Sequence, residues 1–195
     1  MSGKSISSRC FLFWRINFSE PGFGWPLRVA VGIPREIHYP FGPMNELIWS
    51  FVGGLEPGGG EPTFRLAFRR ESLFLIGYSQ TIESIPEGLL IEGSAQACGL
   101  TLFLDNPDFH FLPVLARVNR SSFLEVAAFD TNYSACPRLL QLSEAGGVFE
   151  CVCFEPETGV KVAEMEILLG FVPFSDLPEG GKNARSRLKN FISNL

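Results

Sequence analysis

The sequence predicts an all-β-dominated protein: an antiparallel β-sandwich or open β-barrel of about nine or ten strands with a C-terminal amphipathic helix. Three observations lead there. The first lies at residues 148–169, where two runs of β-branched and apolar residues flank the turn sequence Glu155-Pro-Glu-Thr-Gly159. Phe149, Cys151 and Cys153 alternate onto one face of the first run, and Ala163, Met165, Ile167 and Leu169 onto one face of the second. Pairing those faces leaves Glu150, Glu164 and Glu166 on the other side, so a slip of one residue would bury glutamates and the register is firmly set. The second observation is a succession of short apolar runs separated by Gly, Pro, Asn and Ser clusters from Thr63 onward. The third is Leu188, Phe191, Ile192 and Leu195, spaced at i, i+3, i+4 and i+7 on one helical face.

Taken in order, residues 10–18 and 27–33 read as strands, with Pro34, Pro40 and Pro43 leaving only a short extended piece between. Residues 44–52 suit either a short helix after Pro43 or a strand. Residues 53–62 are glycine-rich and read as a flexible loop inside one domain. Residues 64–68 and 72–78 read as hairpin partners. Residues 88–92 and 100–104 read as strands around the small-residue stretch 93–99, which either turns tightly or lets something approach the backbone closely. Residues 111–118 and 123–129 suggest another hairpin across Asn119-Arg-Ser-Ser122, and Pro137 with the residues after it one helical turn. The whole is one β-rich domain over residues 1–176, followed by a linker and basic helix over 177–195.

Phe occurs 19 times and charged residues make up 19%, against a typical charged share of roughly a quarter. The aromatic excess fits either a large ordinary core or a surface that meets a partner or a second copy of the chain. The formal net charge of −5 opposes general affinity for nucleic-acid backbone. Residues 181–195 nevertheless carry +4 through Lys182, Arg185, Arg187 and Lys189, leaving −9 on the rest. An acidic body with a basic tail suggests docking of one on the other, or of the tail on a partner. Five cysteines form no regular framework, and neither a secretory signal nor a run of about 20 apolar residues is found. Reduced thiols in a cytoplasmic protein are the expectation.

Few residues offer reaction chemistry. The glycine-rich loop lacks the Lys and Ser/Thr of a phosphate-binding loop and carries Glu56 and Glu61 instead. Gln96-Ala-Cys-Gly99 resembles part of the caspase signature; the resemblance covers four residues and has Leu100 where a glycine is expected. It would make Cys98 a nucleophile with His38 or His110 as base, whereas the plain reading is a small buried cysteine. Asp105, Asp108 and His110 match no metal-ligand spacing and read as a turn, and Cys151 with Cys153 reads as two core thiols. Glu150 and Glu164 could act as acid and base in a cleft, but exposed hairpin glutamates are usually solvated. No cofactor or metal is expected.

These features point first to a non-enzymatic interaction module (an inhibitor or immunity-type protein, chaperone or assembly subunit). It would bind another protein, or itself as a homo-oligomer, through surface aromatics and through Lys182, Arg185, Arg187, Lys189 and Phe191. The alternatives are a cysteine-dependent hydrolase built on Cys98, and an RNA-binding protein using an aromatic sheet and the basic tail.

Overall fold

The computed structural model describes residues 51–57, 60–70, 83–106, 108–176 and 184–194, all within the compact unit Tyr39–Leu195. In chain order these residues form β1 (Val52–Leu55), β2 (Phe64–Ala67), α1 (Glu87–Asp105), β3 (Phe111–Phe123), β4 (Asn132–Leu142), β5 (Gly146–Phe154) and β6 (Lys161–Pro173). A single 3-10 turn at Phe174–Asp176 and a second helix, α2 (Ala184–Ile192), follow. The strands make one antiparallel sheet in the order β1-β2-β4-β5-β6-β3. The described residues therefore hold one six-stranded sheet with a long helix packed on it, not a sandwich or barrel of nine or ten strands.

Within the described residues, three local differences from the expectation stand out. Residues 88–104, expected as strand, turn and strand, are the single helix α1. Residues 111–123, expected as the arm and turn of a hairpin, run on as β3 and pair with β6 instead. Pro137 lies inside β4 rather than in a helical turn. The β5–β6 hairpin holds its expected register: Phe149 opposes Ile167, Cys151 opposes Met165 and Cys153 opposes Ala163. All six are at most 2% exposed, while Glu150 and Glu166 face each other on the outer side. Gly53 and Gly54 of the expected flexible loop belong to β1. The strands expected at 10–18, 27–33 and 72–78 lie outside the described residues.

Helix α1 begins at Pro86, whose fixed φ of −59° suits a helix entrance and whose carbonyl accepts from the Leu89 and Leu90 amides. Glu87 in the first turn complements the helix dipole. Residues 93 through 103 are all buried. That burial depends on small side chains: a Cβ on Gly93 would lie 3.0 Å from Phe68 Cζ and 3.3 Å from Leu66 Cδ1, closer than a well-packed core accepts. The inner face of the sheet supplies Phe64, Leu66, Phe149, Met165, Ile167 and Leu169, each at most 2% exposed. Full burial of such a side chain contributes roughly 1.5–3 kcal/mol, so the helix and the sheet's inner face hold the fold together.

Candidate active site

Polar side chains on α1 fall into two groups with different surroundings. The first is Glu92 and Gln96, one helical turn apart. Gln96 is 6% exposed, and its amide is engaged at both ends. The Phe51 backbone N–H donates to Gln96 Oε1 at 3.1 Å, and Gln96 Nε2 donates to Glu92 Oε1 at 3.1 Å. The helix is thereby tied to the residue that precedes β1. Close approach of α1 at Gly93, against Phe51, Leu66 and Phe68, is what brings these groups within reach. Glu92 is half-buried, and Oε2 has no hydrogen-bond partner among the described residues. Burial pushes its carboxyl above the usual glutamate range, partly opposed by the Gln96 hydrogen bond. A carboxyl whose protonated and ionised forms are brought closer in energy, with one oxygen unengaged, can take up and release a proton.

The second group lies beneath the sheet. Ser94 Oγ and Cys153 Sγ are 3.0 Å apart, and Ser94 Oγ also donates to the Leu90 carbonyl. Cys98, Cys151 and Cys153 are all fully buried. Cys153 is held well above the usual thiol range by its Cys151 hydrogen bond and then by burial. A thiol kept protonated and sealed from solvent is neither a nucleophile nor a metal ligand. Among the described residues no cluster of three or more His, Cys, Asp or Glu could hold a metal ion.

The remaining candidates scatter. Cys98 sits in the core, while His110 is exposed beyond the end of α1, with its carbonyl accepting the Phe174 N–H; no hydrogen bond joins the two residues. His38 and Lys182 lie outside the described residues, as does the side chain of Arg187. Arg185 and Lys189 both reach Asp108, at 3.7 and 3.3 Å, so the basic tail contacts its own body just after α1. Leu188 is 1% exposed, and Phe191 and Ile192 pack against the same core. The outer face of the sheet carries a depression of about 210 Å³ lined by Arg120, Glu150, Lys161 and Glu164 among others. Its charges pair with neighbours, and the Arg138 hydrogen bond holds Glu150 below the usual carboxylate range. Glu150 is thus a solvated ion-pair partner.

No family model and no curated protein matches the sequence. Solved structures do. One is a thioesterase from Haemophilus influenzae at 12% identity, over 67% of this chain and 88% of that one, with a TM-score of 0.49. Another is the PaaI protein from the phenylacetic acid degradation operon of E. coli, at 12% identity over 65% and 88% with a TM-score of 0.48. A third is a hypothetical thioesterase from Streptococcus pneumoniae solved with coenzyme A, at 14% identity over 62% and 88% with a TM-score of 0.45. Likeness at this level carries no residue roles across.

Two expectations about function are corrected here. A non-enzymatic interaction module (inhibitor, immunity protein, chaperone or assembly subunit) is not what the similar solved structures are described as, since they include thioesterases. RNA binding, the other, finds no support; Leu188 of α2 is buried in the core of this chain, and no hydrogen bond joins Cys98 to His110. Among the described residues, no helix is long and apolar enough to cross a membrane.

Sequence reasoning missed Glu92 and Gln96 because it placed them in a strand and a turn. A detectable signal existed: Glu and Gln at i, i+4, embedded in small residues after Pro86-Glu87.

Proposed function

We propose that this protein is an enzyme that hydrolyses acyl thioesters, with Glu92 as its acid–base residue. The observation that carries the reading is the half-buried Glu92 carboxyl, raised by burial, anchored through one oxygen and unengaged at the other. The substrate class to assay first is suggested by the thioesterases among the similar structures; the role of Glu92 rests on its own surroundings.

In this reaction ionised Glu92 takes a proton from water through Oε2 as the water oxygen bonds to the thioester carbonyl carbon. The tetrahedral intermediate then collapses, the carbon–sulfur bond breaks, and the proton held by Glu92 passes to the departing thiolate. A carboxylic acid and a free thiol leave, and Glu92 is ionised again. Raising its pKa toward neutrality makes the carboxylate a stronger base while leaving a usable ionised fraction.

The test is hydrolysis of a panel of acyl-CoA thioesters by the full chain and by Glu92→Gln, followed by thiol release. General acid–base groups supply about 10²–10⁴-fold, so the variant should lose at least about 100-fold in kcat while its circular dichroism is unchanged. Undiminished hydrolysis by a folded Glu92→Gln protein would remove Glu92 from the mechanism.

A further inference from the structure

We propose that the Phe51 backbone N–H, acting through Gln96, dictates which oxygen of Glu92 carries its proton, making Gln96 a positioning residue for that carboxyl. The inference uses only hydrogen-bond direction. A primary amide has one end that accepts and one that donates, and a backbone N–H can only donate. Phe51 N lies 3.1 Å from the Gln96 side chain, so the end facing it must be the oxygen. The NH2 end therefore faces Glu92, where it too can only donate, and Glu92 Oε1 is the acceptor at 3.1 Å. A proton taken up by the carboxyl consequently resides on Oε2, the oxygen without a partner among the described residues. The same relay keeps Oε2, rather than Oε1, turned to the reacting water in the proposed hydrolysis.

Among the described residues, nothing charged competes with this relay from the elements packed around it. The side chains meeting α1 at Gly93 are Phe51, Leu66 and Phe68. Glu56 accepts from Ser134, and Arg65 donates to the Gly53 carbonyl. Arg69 binds the Asp130 carbonyl and Asn132, and Arg70 pairs with Asp130. The causes acting on the Glu92 carboxyl are burial first and the Gln96 amide second. The amide favours the ionised form, so its removal must move the titration upward.

The relay is testable without turnover. In full-length protein carrying carbon-13 at glutamate carboxyls, the Glu92 signal, identified by its loss in Glu92→Gln, is titrated in the native protein, Gln96→Met and Gln96→Glu. Gln96→Met keeps the side-chain length but removes donor and acceptor; it should shift the Glu92 midpoint upward and speed solvent exchange of the Phe51 amide. Gln96→Glu sets two carboxyls against each other, and the pair should titrate in two steps with one proton held to higher pH than in the native protein. A Glu92 midpoint in Gln96→Met equal to or below the native value would overturn the proposal. Should that variant fail to fold, a native-like single midpoint in Gln96→Glu would do the same. These shifts in a protein that hydrolyses no thioester would uphold the relay and reject the hydrolase reading, so the two claims fail separately.

Discussion

Among its polar side chains, helix α1 carries the i, i+4 pairs Glu92–Gln96 and Ser94–Cys98, offset by two residues and therefore on different faces. The Glu92 carboxyl is raised by burial, and the thiols of Cys151 and Cys153, which lie beneath the second face, are held well above the usual thiol range. Their fates differ because of access. Cys98, Cys151 and Cys153 have no exposed surface, whereas Glu92 is only half-buried and its Oε2 has no hydrogen-bond partner among the described residues. Perturbed titration marks a functional group only where a reactant can reach it. The cysteines attract attention in the sequence, yet the candidate carboxyl lies on the other face of the helix.

The sharpest way to break this comparison is to move a carboxylate from one face to the other. Cys98→Asp keeps a short side chain but places an ionisable group among buried thiols, the Ser94 hydroxyl and apolar atoms, with no cation among them. It should cost about 4 kcal/mol or more, the range reserved for unpartnered buried charge, read as a fall in the urea midpoint at neutral pH. A near-native midpoint would mean that the sealed face is open to solvent and that the distinction between the two faces is false.

A smaller effect of opposite sign is expected at Glu92. Its raised carboxyl means that the folded protein retains a proton the unfolded chain releases. The resulting stability is fully present below the unfolded value near 4.5 and is lost as pH rises through the higher folded value. The ionised form of the group is therefore a liability to stability. Glu92→Gln should raise the urea midpoint at neutral pH and lose that advantage below pH 4.5. A variant that is less stable than the native protein at neutral pH would show that Glu92 is structural.

What could be read from the sequence follows from how each element divides its surface. The β5–β6 hairpin was legible because one face is buried and the other wet, so period-two alternation survives in Phe149, Glu150 and Cys151. The tail helix was legible for the analogous reason, Leu188 buried while Ser186, Lys189 and Asn190 are exposed. Helix α1 has no wet face from Gly93 to Phe103, so no 3.6-residue rhythm appears, and its small residues mimic a turn. Asn119-Arg-Ser-Ser122 looks like a loop because it is the exposed part of β3, an outermost strand of the sheet with irregular pairing at Leu115/Arg117 and Val118/Arg120. Pro137 argued against a strand, yet β2 pairs with β4 only as far as Ala135. Beyond that residue β4 has β5 on one side and no strand partner among the described residues on the other, where a missing N–H is harmless. Glu92 and Gln96 were hidden by the same error as α1, since their i, i+4 relation has meaning only on a helix.

The account turns on whether the Glu92 carboxyl governs turnover, and the most direct measurement is the pH dependence of kcat/KM for thioester hydrolysis alongside the carbon-13 titration of Glu92. Activity should rise with pH along an acid limb whose midpoint lies above 4.5 and coincides with the Glu92 carboxyl midpoint, with the limb absent from the residual rate of Glu92→Gln. An acid limb at the same pH in Glu92→Gln, or a Glu92 midpoint at or below 4.5, would contradict it.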